Sequence, residues 1–453
     1  MDLVIMNFVF LLYLTSVVKC SIKLDFNKVL TPSKYTKRDA LPMPLINDKI
    51  LYTTELEIGS NKDKVSVSID TGSYDLWVMS NDAVCYKVSE FQTEGAPQLP
   101  DIFNDIDQDY SCTFNGTYNS KSSKTFKNTS EDFSIGYVDG SAAQGVWGYD
   151  SVQFGQYGVT GLKIGIANRS SVSDGILGIG IANGYDNFPV LLQKQGLINK
   201  IAYSVYLNSS NSTTGTILFG AIDHAKYKGA LSTVPVDSKS QLSVNVTNLK
   251  TKNGNVASGG HSILLDTGST FSIFPDEWID ALGHSLNATY DEDESVYEIE
   301  CDGYDEHFFG FSIGDSDFSV PIQDLKTEKD GQCYLAIMSN SVIGGGGILF
   351  GDDILRRIYL VYDLQDMTIS VAPVVYTEDE DIEEILNPNE DQNEVPTSTS
   401  FTQSASSSGS QPSSTISGEN MDKNITSSSS GNCQTRSWIA ILSALFLVYI
   451  HII

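Results

Sequence analysis

The tetrapeptide Asp70-Thr71-Gly72-Ser73 recurs unchanged as Asp266-Thr267-Gly268-Ser269 in the second half of the chain. A given tetrapeptide appears by chance about once in 160,000 positions, so the repeat marks a duplicated functional element. One Asp-Thr-Gly alone reads as an ordinary turn with an Asx hydrogen bond. Two copies in matched settings point to a pair of carboxylates meant to meet. Held together in a low-dielectric site, two carboxylates cannot both ionise, because like charges repel there. They share one proton, which sets a base beside an acid at mildly acid pH. The base takes a proton from water, the water attacks an amide carbonyl, and the acid protonates the oxygen that turns negative. Titration belongs to the pair, and the sequence leaves open which aspartate holds the proton. Gly72 and Gly268 allow a tight turn and close approach of backbone to carboxylate. Ser73 and Ser269 are expected to donate to the outer carboxylate oxygens.

Both motifs end apolar strands. Val65, Val67 and Ile69 alternate with Ser66 and Ser68 up to Asp70, and Ser262-Ile263-Leu264-Leu265 leads into Asp266 in the same way. The β pattern runs from about Leu51 to Val374, interrupted by short helical signals at Phe188–Leu197 and Asp276–Leu282. At 453 residues the chain is long enough for one large two-lobed domain. Its 28 basic and 57 acidic residues give a net charge of −29, which excludes a general affinity for nucleic acid. The five histidines show no metal-ligand spacing, and neither a nucleophile elbow nor a phosphate loop is present. The expectation is therefore catalysis with no metal and no cofactor.

The flanks read as export and anchoring signals. Residues 1–20, with the apolar run Leu3–Val18, fit a signal peptide, and 21–38 fit a pro-segment ending in the dibasic pair Lys37-Arg38, a candidate processing site. In an oxidising compartment Cys85, Cys112, Cys301 and Cys333 allow three pairings. Cys85–Cys112 and Cys301–Cys333 are preferred, since each pair brackets a polar segment within one half. Sequons at Asn115, Asn128, Asn168, Asn208, Asn211, Asn245 and Asn287 fit an exported surface. Residues 377–431 are acidic and then Ser/Thr-rich, the composition of a disordered stalk. At 432–453 a polar spacer and a terminal apolar run, preceded by small residues, fit a GPI-anchor signal. The implied location is the cell surface, at plasma membrane or cell wall.

These motifs resemble those of the pepsin-type aspartic proteases, most closely the fungal yapsins and yeast secreted aspartic proteases. The resemblance covers nearly all of Leu51–Val374. It rests on Asp70 to Val78, on Ser134 to Ser141, on Asp174-Gly175-Ile176-Leu177-Gly178 and on Leu349-Phe350-Gly351-Asp352. Tyr185 to Pro189 and Ile217 to Asp223 resemble the yapsins in particular. The resemblance implies an all-β bilobal fold, with lobes at 39–229 and 230–376 and a catalytic cleft between them. It implies a monomeric endopeptidase in which Asp70 and Asp266 are catalytic, supported by Thr71, Gly72, Ser73, Thr267, Gly268 and Ser269. Tyr137 would be the flap tyrosine, Trp77 its indole partner, and Asp139 and Gly140 part of the substrate-binding flap. Val138 stands where the family has glycine. The acidic insert holding Glu90, Glu94, Asp101, Asp105, Asp107 and Asp109, together with Asp139, implies a preference for Lys or Arg near the scissile bond. The competing readings are a catalytically inactive, protease-like surface binding protein and a structural cell-wall glycoprotein. The second leaves the doubled motif unexplained.

Overall fold

The computed structural model describes residues 22–30, 50–86, 111–137 and 141–387, apart from 211, 213, 258, 293 and 343–346. The expected signal peptide, Lys37 and Arg38, the acidic insert from Glu90 to Asp109, Val138, Asp139, Gly140 and Asn211 lie outside the described residues. So do the Ser/Thr-rich stretch and the anchor signal.

Alternation in the sequence becomes a mostly β architecture. Val65, Val67 and Ile69 are buried along the strand Asp63–Asp70. That strand runs parallel to Gly175–Gly178, placing Asp70 opposite Gly178. The strand Leu76–Cys85 pairs antiparallel with the other side of Gly175–Gly178. The second half repeats this plan. His261–Leu265 runs parallel to Leu349–Phe350, and Ser272–Phe274 pairs antiparallel with it. Each Asp-Thr-Gly turn is thus the link between two strands that flank a third, which fixes both of its ends.

The first of these units belongs to a thirteen-stranded sheet, and the second to an eight-stranded one. The sequence boundary between lobes is not a structural boundary. Ser232–Pro235, Ile358–Asp363 and Thr368–Pro373, all from the second half, continue the thirteen-stranded sheet beyond Ala202–Tyr206. The expected pro-segment also enters this sheet. Its strand Ile22–Leu30 lies between Thr214–Phe219 and Ile50–Ile58, with Ile22 opposite Phe219 and Leu30 opposite Ile50.

Aromatic side chains fill the interior. Phe188, Phe219, Tyr203 and Tyr362 form a chain of ring contacts in the first region, and Phe274, Trp278, Phe309, Phe311 and Phe350 do so in the second. All nine are buried, each contributing about 1.5–3 kcal/mol by leaving water. The two expected helices are Phe188–Lys194 and Asp276–Leu286. The first stops short of Leu197 because Gly196, at φ 72°, leaves helical space. The second runs past Leu282 because Trp278, Ile279, Leu282 and Leu286 continue one buried face, until Asn287 turns left-handed at φ 54°.

Among the described residues two disulfides are present, Cys85–Cys112 and Cys301–Cys333, with Cα–Cα distances of 5.5 and 5.1 Å. The stalk expected from 377 onward does not begin there. Residues 377–385 fold back as a strap, with Ile382–Glu384 antiparallel to Ala221–Asp223. The buried Lys226 donates to the carbonyls of Thr377 and Asp379 at 2.7 and 2.8 Å. Asp381 N–H reaches the Asp223 carboxylate at 2.8 Å, and His224 Nε2 lies 2.7 Å from Glu383. An acidic stretch orders here because its backbone groups find buried partners and Ile385 packs against Tyr206, Tyr359 and Val361.

Candidate active site

The two Asp-Thr-Gly turns, 196 residues apart, lock together through their threonines. Thr71 Oγ1 donates to the Leu265 carbonyl at 2.7 Å and accepts from Thr267 N–H at 3.0 Å. Reciprocally, Thr267 Oγ1 donates to the Ile69 carbonyl at 2.9 Å and accepts from Thr71 N–H at 3.2 Å. Both threonines are buried. Four hydrogen bonds therefore tie the backbones on which the aspartates stand, leaving no buried amide at the crossing unpaired.

The glycines let the carboxylates approach. A Cβ added at Gly72 would lie 2.7 Å from the Asp266 Cγ and Oδ1, and one at Gly268 would lie 2.6 Å from Asp70 Oδ1. Each turn thus offers its bare glycine backbone to the aspartate of the other turn. Any side chain there would displace a carboxylate.

The two carboxylates are held differently. Asp70 Oδ1 accepts from Gly72 N–H at 2.7 Å and Ser73 N–H at 3.1 Å, while Ser73 Oγ donates to Oδ2. Asp266 Oδ1 accepts from Gly268 N–H at 2.8 Å. Ser269 does not take the role expected of it: its hydroxyl donates to the Phe271 carbonyl at 2.9 Å, two residues along its own turn. Burial, then the Asp70 charge beside it, pushes Asp266 well above the usual carboxylate range, against the pull of the Gly268 and Gly72 N–H groups.

In the first half, the Trp77 indole donates to the Tyr137 hydroxyl at 2.6 Å. Trp77 is fully buried against Phe133, whereas Tyr137 is half-buried at the end of the hairpin strand Lys127–Gly136. Asp139 and Gly140, the other residues expected on the flap, fall outside the described residues. Of the described sequons, Asn128, Asn168, Asn245 and Asn287 are exposed. Asn115 donates its amide to Asp174, and Asn208 is buried with its amide on Ser212.

Three supports were not singled out from sequence as site residues. Tyr185 donates to Asp75, whose carboxyl is raised by burial against that same hydrogen bond. Asn187 donates to the Gly180 carbonyl at 2.8 Å, and Gly180 N–H donates to Ser73. In the second half, Asp353 takes hydrogen bonds from Ser272. The sequence signal for the first two was present in Tyr185 to Pro189, read as a family motif without a role.

Two short strand-flanked aspartate turns, joined at buried threonines, define an acid-protease centre. Residues 51–374 match the family model of the eukaryotic aspartyl proteases, and the chain belongs to that family and is an aspartic protease. It is 99% identical over 453 residues, the whole of both chains, to the secreted aspartic protease 10 of Candida albicans. It is 36% identical over 376 residues to candidapepsin of Candida tropicalis, covering 80% of this chain and 90% of that one. Among solved structures it resembles the aspartic proteinase from Irpex lacteus, with a TM-score of 0.59 at 18% identity, over 79% of this chain and 99% of that one. This last likeness is one of fold.

Proposed function

We propose that Asp70 and Asp266 are the catalytic pair of a secreted endopeptidase working in acid. Asp70, with three donors on its carboxylate, carries the negative charge and acts as base. Asp266, with fewer donors and a raised carboxyl, carries the proton. A water between them loses its proton to Asp70 and attacks the scissile carbonyl, while Asp266 protonates the carbonyl oxygen. Peptide-bond cleavage follows when the amine leaves with a proton. Tyr137, steadied by Trp77, is the flap tyrosine, and Asp139 and Gly140 act with it in binding substrate. The observation that carries this reading is the reciprocal packing of the two turns, each glycine against the other turn's carboxylate.

The enzyme is exported through the signal at 1–20, loses 21–38 after Lys37-Arg38, and is held at the surface by a GPI anchor. The anchor signal begins at 432. Acidic groups on the flap and in the 87–110 insert favour substrates with Lys or Arg near the scissile bond. N-glycans fit the exposed Asn128, Asn168, Asn245 and Asn287.

Asp70→Asn and Asp266→Asn, each assayed on a peptide library beside the unaltered enzyme, test the reading. Each should lower kcat by about a thousandfold or more. Substantial hydrolysis by either variant removes the proposed pair. Asp139→Asn, with the insert acids neutralised, should weaken the preference for basic residues; unchanged peptide choice refutes that part alone.

A further inference from the structure

The first-turn residue of a short helix, Asp352–Leu355, lies against the second catalytic turn. Asp352 N–H donates to the Ser269 carbonyl at 2.9 Å and Asp353 N–H to that of Thr270 at 3.3 Å. A Cβ at Gly351 would lie 2.7 Å from the Ser269 carbonyl oxygen and 2.8 Å from that of Phe271. The whole 269–271 stretch therefore rests on 351–353.

The carboxylate of Asp353, 4% exposed, closes this contact. Its Oδ1 accepts from Ser272 Oγ at 2.6 Å and from Ile354 N–H at 2.9 Å, and its Oδ2 from Ser272 N–H at 3.1 Å. Ser272 Oγ in turn accepts from Gly351 N–H at 3.0 Å. One step back along the chain, the Phe350 carbonyl accepts from Asp266 N–H at 3.0 Å. Hydrogen bonds thus run from Asp353 through Ser272 to Gly351, and the peptide link from Gly351 to Phe350 carries the connection on to the Asp266 backbone. The first half has no carboxylate here. By strand register Gly178 corresponds to Gly351, so Gly180 stands where the second half has Asp353. Gly180 is braced instead by the neutral Asn187.

Asp353 is buried, ionisable and outside the hydrolytic steps, and three donors fix its orientation. We infer that Asp353 is a positioning residue for Asp266, clamping Ser272 to the 351–353 backbone so that the second catalytic turn holds its geometry. The inference rests on the catalytic reading of Asp266 given above.

The test compares Asp353→Asn, Ser272→Ala and their double variant with Ile313→Ala, a core truncation in the same half. Asn keeps an acceptor for Ser272 Oγ but turns an amide donor toward Ser272 N–H. Each clamp variant should lower kcat about tenfold or more with KM within about twofold, since substrate contacts are untouched. The double variant should be no worse than the worse single, because both break one clamp. Ile313→Ala should lose stability with kcat unchanged. The inference is overturned if the clamp variants lose stability as Ile313→Ala does yet keep full kcat, or if their effects on kcat multiply. Should Asp353→Asn fold poorly, Ser272→Ala decides by the same kcat criterion. Retained activity in Asp266→Asn would instead strike the catalytic reading, and does so whatever the clamp variants do.

Discussion

Thr71→Val is the most direct probe of how the two halves are coupled. Valine has nearly the shape of threonine, so no cavity opens and the change isolates the hydroxyl. The hydrogen bond from Oγ1 to the Leu265 carbonyl is lost, worth about 1 kcal/mol net. Leu265 is not orphaned, because Tyr362 also donates to that carbonyl, at 3.2 Å. Thr267 N–H is less fortunate. It loses its acceptor in a buried setting, which costs a further 1–3 kcal/mol or so. The expected destabilisation is therefore about 2–4 kcal/mol. Urea unfolding should show it as a lower midpoint at unchanged slope. Because the same turn carries Asp70, kcat should fall by at least about tenfold. Thr71→Ser keeps the hydroxyl and should lose only a methyl group, about 1 kcal/mol. If the valine and serine variants unfold at the same midpoint and hydrolyse peptide equally well, the threonine crossing does not hold the pair.

Alanine at Gly72 or Gly268 should lower kcat by about a hundredfold or more while the protein still folds. Its Cβ would stand within 2.7 Å of the opposing carboxylate; steady-state kinetics checks this, and near-normal turnover would show that the carboxylates have room to move. Stability should depend on pH through Asp353. Burial pushes its carboxyl from 3.8 up to about 6, against the Ser272 donors and the Arg356 charge. The folded state then holds this proton more tightly than the unfolded chain does. Its contribution is full below about pH 4 and is lost as pH rises through about 6, a fall of about 3 kcal/mol. Asp353→Asn should flatten that part of the stability–pH curve, and an identical slope in both proteins would contradict the assignment.

The chemistry was legible in the chain because it demands fixed residue types in a fixed local order. A doubled Asp-Thr-Gly-Ser after an alternating strand leaves few other readings. The cysteine partners in the structure are those chosen from sequence, each pair lying within one half. What sequence did not yield was contact between distant segments. Tyr185 and Asp75 are 110 residues apart, and Ser272 and Asp353 are 81 apart. No local pattern announces either pair. The serine after the motif misled for a related reason: Ser73 and Ser269 sit in identical tetrapeptides, yet the second donates to the carbonyl of Phe271. The acidic stretch after Thr377 misled through composition. Charge argued for disorder, while Ile382 and Ile385 and the distant Lys226 supplied what a strand needs.

That strap would also be the first part of the fold to meet a load applied from the carboxyl-terminal side. Tension along the chain from the carboxyl-terminal side meets Ile385, whose N–H is tied to the Gly220 carbonyl, and then the paired Ile382–Glu384 segment. Lys226 holds the next carbonyls in line. Only after these fastenings give way does the pull reach Thr368–Pro373 and the strands beside the threonine crossing. The strap would act as a strain relief, parting before a pull from that side could draw the two aspartates from each other.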